Sequence, residues 1–231
     1  MTDNKKIFSD IYENGMWSKP FFAKGKYSSG SGSYKKYIIK PYIDFLKSFI
    51  KNNDIKSITD VGCGDFNIMR RVLVDFPDIV YYGIDVAENL INYNNEKYSE
   101  KTKQFFCLDV SKETEKLPKA DLFICRQVLQ HLSNKDVAAI LDATKNYHYA
   151  IITDSIYVGD DVKYNLDMPT GEAIRLPMKS GIYIDKPPFS MENVAHVLSV
   201  NVYEPRRSLK SLFSAGRLSI ANIRTSLIIN K

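Results

Sequence analysis

Hydrophobic positions along the chain follow two alternating rhythms. Short apolar runs that end in turn residues read as strands at Ile58–Val61, Ile79–Asp85, Gln104–Asp109, Ala120–Cys125 and Tyr149–Asp154. Between them, apolar residues recur at helical spacing. Tyr34–Asn53 carries Tyr37, Ile38, Tyr42, Phe45, Leu46, Phe49 and Ile50 on one face, with Pro41 marking a kink or a late start. Helices are also expected at Asn67–Asp75, Ala87–Tyr98 and Lys135–Asn146, the last capped by Ser133 or Asn134. A short helix over Lys6–Asn14 precedes them. Ser190–His196 reads as a short helix capped by Ser190, and Ser199–Tyr203 and Asn222–Ile229 as two final strands, antiparallel to each other. Strands alternating with helices predict an α/β fold: a seven-stranded, mostly parallel sheet, its first five strands parallel, with helices on both faces.

The 231 residues suit a single domain. It divides into N-terminal helices with a Gly/Ser-rich lid (1–53), a core (54–155), and an insert with the last strands (156–231). The net charge of +5 permits an anionic substrate. Basic residues are scattered, so no nucleic-acid partner is expected. Cys63, Cys107 and Cys125 have no metal-ligand spacing and give no disulfide framework. No metal is expected. No apolar run could span a membrane, and no signal-peptide core follows the polar start, so the expected compartment is the cytoplasm. Oligomeric state is not legible.

The chemistry concentrates at Ile58-Thr59-Asp60-Val61-Gly62-Cys63-Gly64-Asp65. A buried strand stops at a Gly-x-Gly turn and hands over to a helix. Gly62 and Gly64 allow tight turning and close approach of backbone to a ligand. Such a corner, at the carboxyl end of a parallel strand, is where open α/β sheets bind ligands. A dinucleotide loop would want a third glycine three positions after Gly64, and that position is Asn67. The alternative is an ordinary strand-turn-helix corner.

With its acidic flanks, Asp-Val-Gly-Cys-Gly-Asp resembles the first motif of class I S-adenosylmethionine (SAM)-dependent methyltransferases with a Rossmann-like sheet. SAM presents a cationic amine and a sulfonium, which carboxylates attract. The resemblance covers about residues 55–155 through four motifs in order. It implies a cofactor site of Asp60, Gly62, Cys63, Gly64, Asp85, Val86, Asp109, Val110 and Arg126, with S-adenosylhomocysteine as product. Asp85 closes the second strand about 20 residues after the turn, where an acid that takes both ribose hydroxyls is expected; otherwise it caps the following helix. Asp109 would reach the adenine amine, or is a surface turn residue, and Val110 would line the ring pocket. Asp121 resembles an acid whose role is structural. Arg126 sits where the family places residues under the methionine part of SAM.

The acceptor side is less defined. Trp17, Tyr27, Ser31 and Gly32 belong to an aromatic and Gly/Ser segment that reads as a lid over cofactor or substrate, or else as a flexible linker. Residues 158–190 lack periodicity, and a long loop after the fifth strand suggests an acceptor-binding insert. Tyr157 would border the rim. Arg126, Arg175 and Lys186 could bind an anionic acceptor. His131 is the candidate general base, or a structural histidine. Asp154 would orient His131 or the acceptor, or cap a strand end. The expected activity is methyl transfer to a small, anionic acceptor, phosphorylated or sugar-linked, similar to methyltransferases that modify bacterial capsules or surface polysaccharides. Rivals are RNA or protein methylation and a non-catalytic SAM-binding subunit. The basic cluster Arg206, Arg207, Lys210 and Arg217 reads as a solvated hairpin connection.

Overall fold

The computed structural model describes residues 3–17, 27–202 and 221–230. Helix α1 (Asn4–Glu13) and helix α2 (Lys36–Asn52) precede the sheet. Then follow β1 (Ser57–Val61), α3 (Asn67–Leu73), β2 (Val80–Asp85), α4 (Glu88–Tyr98), β3 (Lys103–Cys107), β4 (Leu122–Arg126), α5 (Asn134–Ala143) and β5 (Tyr149–Tyr157). Strands β6 (Val194–Val202) and β7 (Ala221–Ile229) complete a seven-stranded sheet in the order β3-β2-β1-β4-β5-β7-β6. Neighbours among β1 to β5 pair parallel, and β7 runs antiparallel to both β5 and β6. This is a Rossmann-like sheet, mostly parallel with two antiparallel pairings at one edge.

Side chains on a strand alternate between faces, so each strand feeds two cores. Val61, Ile84, Phe123, Cys125, Ala150 and Ile152 pack with α1, α4 and α5. Ile58, Tyr81, Leu122, Ile124 and Ile151 pack with α2 and α3. The strand order reverses between β1 and β4, and the crevice at their carboxyl ends is where the site forms. Asp121 locks that reversal from the opposite end. Its carboxylate accepts from the Lys56 and Ser57 backbone N–H groups, each at 2.8 Å, and from the Ser57 hydroxyl at 2.9 Å.

Two expectations are corrected, and one alternative at Pro41 is excluded. The helix over Ser190–His196 does not form: Ser190 and Asn193 have φ of +46° and +57°, which a right-handed helix cannot contain, and strand β6 begins at Val194 instead. Helix α2 runs through Pro41 rather than starting after it. Strand β5 continues to Tyr157, because β7 gives it partners as far as Ala221, so Asp154, Ser155 and Tyr157 are strand residues. Tyr203 and the cluster Arg206, Arg207, Lys210 and Arg217 lie outside the described residues.

Candidate active site

The glycine turn is built from its backbone. Gly62 and Gly64 have φ of +74° and +55°. A β-carbon on Gly62 would fall 2.0 Å from Val128, and one on Gly64 would fall 2.3 Å from the Ser29 hydroxyl. Side chains are therefore excluded both by conformation and by space. The turn hangs on β2, where the Gly62 and Cys63 N–H groups donate to the Ile84 carbonyl at 2.8 and 2.9 Å. Asn94 on α4 donates to the Gly64 carbonyl at 2.7 Å.

Asp85 ends β2 with its two oxygens shared between neighbours. One accepts from Gly64 N and the other from Ala87 N, both at 3.1 Å. The residue therefore faces the turn and orders the start of α4 at once. Each oxygen keeps a lone pair for a further donor.

Around the turn lies a cavity whose wall includes Asp60, Asp65, Asp85 and Asp109, with Arg126 the only arginine or lysine among the described residues that line it. Burial raises the Asp60 carboxyl from its usual 3.8 to about 7, against a 2.7 Å bond from the Tyr81 hydroxyl; Asp85 pushes it the same way and Arg126 opposes. Burial also raises Asp85, partly countered by its backbone donors. Such a wall favours a cationic ligand, which relieves the cost of crowding carboxylates in a low dielectric.

Arg126 lies over the Tyr42 ring at 4.9 Å and donates through Nη2 to the Gly32 carbonyl at 2.9 Å. Its Nε is buried without a partner, and the Tyr42 hydroxyl is buried within reach of Thr153. Both residues line the cavity, so this end holds hydrogen-bonding capacity that the protein leaves unused.

The Gly/Ser segment is docked rather than free. The Tyr34 hydroxyl donates to Asp65, Ser29 N donates to the same carboxylate at 3.3 Å, and Asp65 N returns a bond to the Ser29 hydroxyl at 3.0 Å. Ser29, Gly30 and Ser33 reach the wall, whereas Ser31 and Gly32 do not. Helix α1 crosses above, contributing Asn4, Phe8 and Tyr12, and Trp17 follows it. Trp17 meets the His131 ring at 4.8 Å and the Tyr12 ring at 5.2 Å.

His131 follows β4 on a short turn, Leu129–His131. Its Nδ1 lies 3.1 Å from the Ala173 carbonyl, which can only accept, so Nδ1 carries the proton. Nε2 then presents its lone pair, which accepts from Gln130 Nε2 at 3.2 Å. Burial pulls the imidazole from 6.5 down to about 4, against that carbonyl bond, so the ring is neutral at physiological pH.

Arg175 does not reach the cavity. It is 1% exposed, and all five of its N–H groups are used. Nε donates to Leu166 O at 2.8 Å, Nη1 to Leu129 O and Gln130 O at 3.1 Å each, and Nη2 to Leu132 O at 2.6 Å and Asn134 Oδ1 at 3.0 Å. It clamps the turn that carries His131 and has no donor left for an acceptor anion. The rest of the 158–190 segment behaves alike: Gly171 N donates to His131 O at 2.9 Å, and Thr170 and Asp167 accept from Ser133 N and Asn134 N. No residue of that segment lines the cavity. Lys186 lies off it too, 3.2 Å from Asp185.

Asp154 and Tyr157 also lie off the wall. Asp154 is buried in β5, raised by burial to about 7, with Leu129 and Gln130 backbone N–H groups and the Arg175 charge facing it. Tyr157 donates to Asp161 at 2.8 Å, and Tyr27 packs between Tyr12 and Tyr93. The cavity thus unites Asp60, Gly62, Cys63, Gly64, Asp85, Val86, Asp109, Val110, Arg126, His131 and Trp17. Sequence reasoning missed Asn4, Tyr42, Gln127 and Gln130. The two glutamines follow directly on β4, which was a usable signal; Asn4 and Tyr42 gave none beyond helix membership. Among the described residues no group of three His, Cys, Asp or Glu side chains is disposed to hold a metal ion, and no helix is long and apolar enough to cross a membrane.

With this geometry in place, comparison with known proteins is informative. Residues 59–147 match a family model described as a methyltransferase domain. A malonyl-[acyl-carrier protein] O-methyltransferase of Acetivibrio thermocellus is 36% identical over 73 residues, covering 32% of this chain and 25% of the relative. A small RNA 2′-O-methyltransferase of Mus musculus is 22% identical over 127 residues, covering 49% of this chain and 32% of the relative. The chain thus spans a third or less of the length of these two relatives. Among solved structures, the N-methyltransferase NodS from Bradyrhizobium japonicum WM9, in complex with S-adenosylhomocysteine, covers 99% of both chains at 9% identity with a TM-score of 0.62, a likeness of fold. The likeness to a methyltransferase domain thus extends over residues 59–147.

Proposed function

We propose that this protein transfers a methyl group from SAM to a small-molecule acceptor and releases S-adenosylhomocysteine. The observation that carries the proposal is the acidic wall around the glycine turn, with Asp85 held by Gly64 N and Ala87 N so that its remaining lone pairs meet a diol. The residues present fit the cofactor. Asp60 offers charge to an α-amino group, while Arg126 Nε offers an orphan donor to a carboxylate. Asp109 and Val110 stand at the base end.

When bound, SAM supplies a methyl group already activated by its sulfonium. The chain's task is to hold the acceptor in line and to accept a proton from it. His131 Nε2 is the proton acceptor in this proposal: its tautomer is fixed by Ala173, and it moves off Gln130 when it takes the proton. Trp17 and helix α1 cover the site and exclude water. For an anionic acceptor, phosphorylated or sugar-linked as in surface-polysaccharide modification, the wall offers only Arg126, which it would share with the cofactor carboxylate, because Arg175 is spent. The proposed compartment is the cytoplasm.

Titration calorimetry with SAM and with S-adenosylhomocysteine tests the cofactor. Methyl release with pools of nucleotide sugars and phosphorylated small molecules tests the acceptor. Absence of binding would sink the proposal at its base. The small-RNA relative supplies a second acceptor class, and turnover on RNA but on no small molecule would replace the first.

A further inference from the structure

The base end of the cavity is closed by a residue that the cofactor motifs do not include. Asn4, in the first turn of α1, is 3% exposed and lines the cavity beside Leu108, Asp109, Val110 and Ser111. Its Nδ2 donates to Ser111 Oγ at 3.2 Å and more distantly to Asp109 Oδ1 at 3.4 Å. Its Oδ1 is buried with no donor. The amide orientation is fixed by chemistry. The Ser111 hydroxyl spends its proton on Asp109 at 2.6 Å and so can only accept from Asn4. Flipping the amide would set its oxygen against the Asp109 carboxylate.

Asp109 itself is ionised. Burial raises its carboxyl, but bonds from Lys112 and Ser111, the Lys112 charge and the Asn4 bond outweigh burial and leave it below the usual carboxylate value. The result is two acceptors side by side, the Asp109 carboxylate and the Asn4 carbonyl, the second with no donor of its own. A buried acceptor left unmatched is costly, and a ligand that brings donors relieves it. An exocyclic amine brings two. A ring carbonyl at the same place brings a third acceptor and is repelled.

We propose that Asn4 is a specificity-determining residue of the nucleoside end: with Asp109 it takes the 6-amino group of adenine and rejects a 6-oxo purine. This rests on the SAM proposal above. It also makes α1 part of the binding site rather than a cover alone.

The test compares dissociation constants for S-adenosylhomocysteine and its 6-oxo counterpart, S-inosylhomocysteine, by calorimetry on the full chain. Wild type should prefer the amine by about 10²-fold or more, since sites with buried polar groups reject analogues that leave them unpaired. Asn4→Ala and Asn4→Ser should each reduce that ratio about tenfold, whereas Asp85→Ala should weaken both ligands equally. An unchanged ratio in both Asn4 variants, with S-adenosylhomocysteine still bound, overturns the proposal and leaves the cofactor intact. Failure of wild type to bind either nucleoside removes the cofactor proposal and this one together.

Discussion

Asp60→Asn should make the ligand-free protein more stable, and increasingly so as pH rises. Burial lifts the Asp60 carboxyl from 3.8 to about 7. A carboxyl raised in the folded state contributes stability that is fully present below its unfolded value and is lost as pH climbs through the folded one. The loss begins near pH 4 and is complete just above pH 7. At about 1.4 kcal/mol per unit, the whole displacement amounts to about 4 kcal/mol, of which about 3 falls between pH 5 and pH 8. Asparagine keeps an oxygen for the Tyr81 hydroxyl and cannot ionise. Asp154, also raised by burial, titrates in both proteins and cancels in the difference, while loss of the Asp60 charge relieves Asp85 and widens the gap in the same direction. For a domain of this size, 3 kcal/mol is about 6–12 °C in Tm. Thermal unfolding of both proteins at pH 5 and pH 8, without ligand, should show the variant pulling ahead by that amount. A gap that stays constant across the two pH values would refute the placement of Asp60 as a buried, unneutralised acid. Affinity should move the other way: SAM binding to wild type tightens up to about pH 8, and the variant binds weakly at every pH.

Three further outcomes follow from the same geometry. Asp85→Ala should weaken S-adenosylhomocysteine by about 10²-fold or more in calorimetry, since charge-assisted bonds contribute about 1.5–3 kcal/mol each; unchanged affinity would move the cofactor elsewhere. His131→Ala should leave that affinity intact while lowering kcat by about 10²–10⁴-fold. Because the imidazole is depressed to about 4, wild-type kcat should show no histidine inflection near pH 6.5, and full activity in the variant would end its candidacy as base. Arg175→Met should cost about 3–5 kcal/mol in urea unfolding, because five acceptors lose their donors deep in the protein; a loss under about 1 kcal/mol would mean the clamp is idle.

The core of the sheet was readable because parallel strands carry dense apolar runs, and because Gly62, Gly64 and Asp85 must sit at fixed separations to build one corner. The last two strands were readable in place and direction, but the stretch leading into them was not. Ser190 and Asn193 adopt left-handed backbone that no hydrophobic pattern announces, and β6 is a half-exposed edge whose alternation is weak. Arg175 misled for a related reason: an arginine in a loop looks free until folding wraps five acceptors around it. Asn4 stayed invisible because an asparagine in a first helical turn has many uses, and its partners Asp109 and Ser111 lie more than 100 positions away. Local pattern fixes elements and corners. It does not fix which loop residue is consumed by a distant backbone.

Helix α1 touches the cavity at both extremes, through Asn4 at one end and through Trp17, just past its last turn, at the other. The helix and the residue just past it therefore reach both ends of one cavity. Under the proposed function, nucleoside and acceptor would both lie beneath this cover. If the proposed function holds, a cover shared in this way predicts ordered binding, with the nucleoside first and the acceptor second. Product-inhibition patterns are the signature by which that order is read.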